Sequence, residues 1–102
     1  MVQVTSRVQG VTVNKICGTI QTDTTALLAG TNATFTVTNS AVAIGDVIDI
    51  SVRSGSTNVD TLVRVSAVAA GSFNISVCNK NAAVSEVGAI IINFAVIKGV
   101  AS

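Results

Sequence analysis

Residues 33–39 read ATFTVTN. Successive side chains of an extended chain point to opposite faces. Phe35 and Val37 therefore share one side, and Thr34, Thr36 and Thr38 share the other. An apolar row backed by a hydroxyl row is the pattern of an antiparallel strand with one face in a core and one in water.

The same alternation recurs along the chain. In 47–53, Ile48, Ile50 and Val52 oppose Asp49, Ser51 and Arg53. In 59–69, Val59, Val63, Val65 and Ala67 oppose Asp60, Arg64 and Ser66. In 72–78, Phe73, Ile75 and Val77 oppose Asn74, Ser76 and Cys78. Gly10, Gly18, Gly30-Thr31-Asn32, Gly45-Asp46, Ser54-Gly55-Ser56 and Gly71 stand between the runs, where turns need Gly, Asn or Asp. Earlier strands are expected over 2–8 and over 11–22, the second interrupted near Lys15–Gly18. Only 24–29, TTALLA, suits a helical turn, and it is too short for a structural helix. About seven short strands at regular spacing predict an all-β fold, a single antiparallel β-sandwich of jelly-roll or immunoglobulin-like kind. The 102 residues form one domain, with residues 1–10 as an edge strand or an extended arm. A faint echo links 29–39, AGTNATFTVTN, to 70–79, AGSFNISVCN; the plain reading is two equivalent strands with like turn chemistry.

Residues 88–99, GAIIINFAVIKG, carry no charge from Gly88 to Ile97. A membrane helix needs roughly 20 apolar residues, so a strand is the better reading. Ile90, Ile92, Phe94 and Val96 make a core face. Ile91, Asn93, Ala95 and Ile97 make the other face, too apolar for water. A strand buried on both faces over 88–98 is expected, its second cover coming from a loop of the same chain or from another subunit. The composition favours the subunit. Hydrophobic residues make up 49% of the chain and charged ones 11%, against roughly 25% charged in ordinary soluble domains, and the mean hydropathy is +0.69. Ile91, Asn93, Ala95 and Ile97 are thus the candidate interface, in an obligate contact that resembles a divided core.

The same composition excludes several functions. The net charge is +1 and the cations are scattered, so no basic face is present for nucleic acid. The aromatics are three phenylalanines, too few for a stacking platform. The chain has no His, which removes His-dependent nucleophile–base pairs. No carboxylate pair suggests an acid/base dyad, and no Gly-rich phosphate loop is present. Asp46 with neighbouring loop carbonyls could hold calcium, but a solvated turn residue is the simpler reading. Cys17 and Cys78 are not a disulfide framework or a zinc motif; both fall on outward registers and could pair, but two unlinked thiols is the simpler reading. No secretory segment is read in MVQVTSRVQG, so the glycosylation pattern at Asn32 and Asn74 is expected to be a chance match in an Asn/Ser/Thr-rich chain. The expectation is a non-enzyme made in the cytoplasm, with no cofactor, no metal, no nucleic acid and no membrane among its partners.

Four phrases carry a resemblance: GVTVNKICGTI (10–20), LLAGTNATFTVTNSAVAIGDVI (27–48), VSAVAAGSFNISVCNKNAAV (65–84) and INFAVIKG (92–99). They resemble a set of short structural proteins of tailed bacteriophages, most specifically in FTVTNS, AVAAGSF and INFAVIK. The resemblance implies a virion component. The expected function is a capsid decoration (cement) protein on the outer capsid surface, a homo-trimer that bridges major capsid protein subunits and stabilises the head. The alternative is a tail or fibre knob protein involved in host attachment. No catalytic or ligand residue carries over.

Overall fold

A computed structural model describes residues 2–3, 6–57, 60–81 and 83–98. Seven strands form two sheets: β1 (Val11–Thr12), β2 (Cys17–Gln21), β3 (Asn32–Thr38), β4 (Val47–Ser54), β5 (Thr61–Ala69), β6 (Ser72–Asn79) and β7 (Ile91–Ile97). One sheet has the order β1-β3-β6-β5 and the other β2-β7-β4. Pairing is antiparallel except between β1 and β3, which run parallel over two residues. The fold is an all-β sandwich, as the alternation predicts.

The core lies between the sheets. Phe35, Val37, Phe73, Ile75 and Val77 enter it from one side, and Ile20, Ile92, Phe94 and Val96 from the other. Phe73 and Phe94 meet across the gap with ring centroids 5.7 Å apart and tilted by 56°, a favourable aromatic geometry. Ile90 is buried just before β7 begins. Burying such side chains stabilises the fold by roughly 1.5–3 kcal/mol each.

The echoed segments are neighbours. β3 and β6 pair from Asn32↔Cys78 to Thr38↔Ser72. A fully buried asparagine follows β3 at Asn39 and closes β6 at Asn79. The Asn39 N–H donates to the Gly71 carbonyl at 2.9 Å, and the Asn79 N–H to the Thr31 carbonyl at 2.9 Å. Their side chains pin the loops. Asn39 Nδ2 donates to the Lys15 carbonyl at 2.6 Å, and Asn79 Nδ2 donates to those of Leu27 and Val84, both at 2.9 Å. The likeness of 29–39 and 70–79 thus reflects one task performed at opposite ends of a strand pair.

Four expectations are corrected. Of the strand expected over 2–8, Val4 and Thr5 lie outside the described residues, and among the described ones the pairing is one parallel bridge, Val2↔Gln21. A turn at Arg7–Val8 breaks it, and the buried side chains of Gln3 and Arg7 tie the segment to the body. No helical turn forms over 24–29; the Asp23 carboxylate caps the Thr25 N–H at 3.1 Å, and Leu27 bridges Glu86. In β5 a bulge between Val65 and Ala67 changes the phase, so Val68 packs on the core and Ala67 is exposed; Val59 lies outside the described residues. Finally, Cys78 is buried although its register points outward.

Candidate functional site

Ile91, Asn93, Ala95 and Ile97 form the outward row of β7, the middle strand of its sheet. The pairing sets four ranks across that face. Val47 pairs with Ile97; Asp49 and Cys17 flank Ala95; Ser51 and Thr19 flank Asn93; Ser54 and Gln21 flank Ile91. Asn93 is exposed, Ile91 and Ala95 are half-buried, and Ile97 is 53% exposed. The expected strand 88–98 is therefore Ile91–Ile97, and a single chain covers one of its faces. No loop of the described residues closes over the other. The strand that one chain does bury on both sides is β6, where Ser76 and Cys78 are 2% and 1% exposed. It lies between β3 and β5, and Thr34 Oγ1 sits 2.8 Å from Ser76 Oγ.

Charge is sparse on both broad faces. The strands carry three charged residues: Asp49 and Arg53 in β4 and Arg64 in β5. Beside Arg64 the outward face of the four-stranded sheet is lined by Thr34, Thr36, Thr38 and Asn74, with Thr36 Oγ1 donating to Asn74 Oδ1 at 2.9 Å. The sheet edges, by contrast, are guarded against pairing. β1 is two residues long. The Gln3 N–H donates to the Gln21 carbonyl at 2.9 Å on the β2 edge. β4 and β5 each carry a bulge, at Arg53 and Ser66.

A second centre, invisible in the sequence, is polar and buried. The Glu86 carboxylate accepts from Ser56 Oγ at 2.5 Å, from the Thr57 N–H at 2.9 Å, from the Thr57 hydroxyl and from the Gly88 N–H at 3.0 Å. Its side chain is fully buried. Burial pushes the acid up, but the hydrogen bonds from Ser56, Thr57 and Gly88 together outweigh it and hold Glu86 at about 2. Close backbone approach makes the site possible. Gly55 has φ +89, and a side chain on it would run into the Ala89 carbonyl; one on Gly88 would run into the Gly55 carbonyl.

Arg7 sits beside this carboxylate without bonding to it. Its guanidinium donates to Thr22 Oγ1 at 3.0 Å, to the Gly88 carbonyl at 2.9 Å, to the Glu86 carbonyl at 3.3 Å and to the Thr25 carbonyl. Burial lowers its pKa, against the charges of Glu86 and Asp23, which raise it. The cluster fastens four loop segments: 3–9, 22–25, 55–57 and 86–90. An acid held at about 2 is a poor proton acceptor at neutral pH, so the arrangement suits fastening rather than proton transfer.

Asp46, the calcium candidate, is buried, and its carboxylate is engaged by protein groups. It accepts from the Ala43 N–H at 2.8 Å and from Lys98 Nζ at 2.7 Å. Among the described residues no three His, Cys, Asp or Glu gather as a metal site. Cys17 is exposed on β2, Cys78 is buried on β6, and both are free thiols.

Compared with known proteins, the chain matches no family model, no curated protein and no solved structure.

Proposed function

We propose that this protein is a non-enzymatic structural component of a tailed-phage virion, a decoration protein of the outer capsid surface that bridges major capsid protein subunits. One observation carries the reading: the sandwich guards its edges and leaves two broad faces almost without charge. Such faces suit permanent cover by protein partners, because a charge-poor surface left in water invites aggregation. The resemblance in 35–40, 67–73 and 92–98 supplies the kind of partner. Self-association through Ile91, Asn93, Ala95 and Ile97 belongs to the proposal, for which the resemblance implies a trimer, with assembly in the host cytoplasm and no nucleic acid, membrane or cofactor involved.

The test is removal. Phage heads assembled without the protein should form but lose resistance to heat and osmotic shock, and adding it back should restore both. Heads equally robust without it overturn the decoration role. Immuno-labelling confined to the tail would favour attachment instead.

A further inference from the structure

The outward face of β2-β7-β4 has an internal relation between its charges. Asp49 stands one rank to one side of Asn93. Arg53, the residue inserted by the β4 bulge, stands beside the rank of Ile91, one rank to the other side. Both are exposed. Among the described residues the ion pair of Lys98 with Asp46 is the one present, and neither Asp49 nor Arg53 takes part in it.

We propose that two copies pack with these faces together across a twofold axis that passes through the rank of Asn93 and lies perpendicular to the strands. That operation keeps β4 over β4 of the second copy and reverses the order of ranks. Asp49 of each copy then meets Arg53 of the other, twice by symmetry. Asn93, whose amide both donates and accepts, meets its own copy at the axis. The small Ala95 lies opposite the large Ile91, a fit of knob to gap.

Other twofold placements lack this property. An axis along the strands puts β4 over β2, so Asp49 faces the Cys17 thiol and Arg53 faces Gln21. An axis between the ranks of Asn93 and Ala95 sets Asp49 over Ser51 and Arg53 over Val47. A single placement pairs both charges, and complementarity of this kind fixes register. A second copy is the natural occupant, because the face complements itself under that operation and the contact closes without forming a fibre. The pairing also covers Cys17, a free thiol otherwise exposed on this face.

The face is small. Three strands about 4.8 Å apart and seven residues of about 3.3 Å each give a footprint of roughly 14 by 23 Å. At roughly 320 Å² a side the contact falls short of the ~1,000 Å² total that a stable pair normally buries, so the pair should be weak and strongly concentration-dependent.

The inference rests on the proposed self-association and replaces the trimer with an even-numbered unit. Sedimentation equilibrium over a wide concentration range should give a dimer, or a hexamer if three pairs assemble. D49R alone and R53D alone should each weaken pairing about tenfold by setting like charges together. The double variant D49R/R53D should recover most of that loss. In a C17S background, N93C should form a disulfide-linked dimer much faster than T36C, which lies on the opposite sheet. A chain that stays monomeric at the highest concentration, a trimer, a double variant no better than the singles, or N93C no faster than T36C would each overturn the pairing. Far-UV circular dichroism of each variant confirms that the fold persists, as these positions are exposed. Heads stabilised by a monomeric protein would sink the pairing alone; a pairing protein that ignores heads would sink the virion reading alone.

Discussion

Replacing Glu86 with Gln removes a charge from the buried centre and leaves its shape almost unchanged. In the native protein the carboxylate accepts from Ser56, Thr57 and Gly88. Gln offers one acceptor oxygen and turns an N–H₂ toward donors that need an acceptor. Holding the acid at about 2 against its ordinary 4.5 corresponds to roughly 3 kcal/mol of preference for the charged form. Ser56 and Thr57 are exposed, so water screens the rim, and about 2 kcal/mol is the safer figure. The sign follows from linkage. A depressed acid contributes fully above its unfolded value and loses that contribution as the pH falls through about 2. E86Q should therefore be less stable than the parent by about 2 kcal/mol at pH 7, or roughly 8–16 °C in Tm. The gap should narrow steadily below pH 4.5. Urea denaturation of both proteins at pH 7, 4 and 2.5 measures it. A gap that stays constant across that range would refute the account, because it would mean that shape and not charge holds the site together.

Three further outcomes are expected. Phe94→Ala, which removes one ring of the inter-sheet pair, should cost about 3–5 kcal/mol in urea denaturation, and a loss below about 1 kcal/mol would argue against the packing described. Gly55→Ala should destabilise by more than about 2 kcal/mol, because strain at φ +89 adds to collision with the Ala89 carbonyl, whereas Gly45→Ala, with φ +93 but open space around it, should cost only about 1 kcal/mol; equal losses would show that strain alone decides. In dilute native protein a thiol reagent should label Cys17 promptly and reach Cys78 only on unfolding, and equal rates would contradict the burial of β6.

The strands from β3 onward were legible because period-2 alternation is a local property. ATFTVTN places Phe35 and Val37 in the core whatever the rest of the chain does. The apolar 88–97 announced a strand with two dry faces, and the structure places its outward row on an uncovered sheet face. Chain order alone could not pair the strands. That β7 lies between β2 and β4, and β3 beside β6, depends on contacts between residues far apart in sequence. A bulge is equally non-local: Ser66 shifts the phase of β5 against β6, so Val68 and not Ala67 reaches the core. The buried centre was the least readable feature. Arg7, Thr22, Ser56, Thr57 and Glu86 share no spacing, and each by itself reads as an ordinary loop residue. Sequence thus determined which side chains must leave water, because transfer free energy belongs to each residue and its neighbours in the strand. Only the tertiary structure decided which polar groups could follow them, because a buried carboxylate is tolerable only where donors from several loops converge on it.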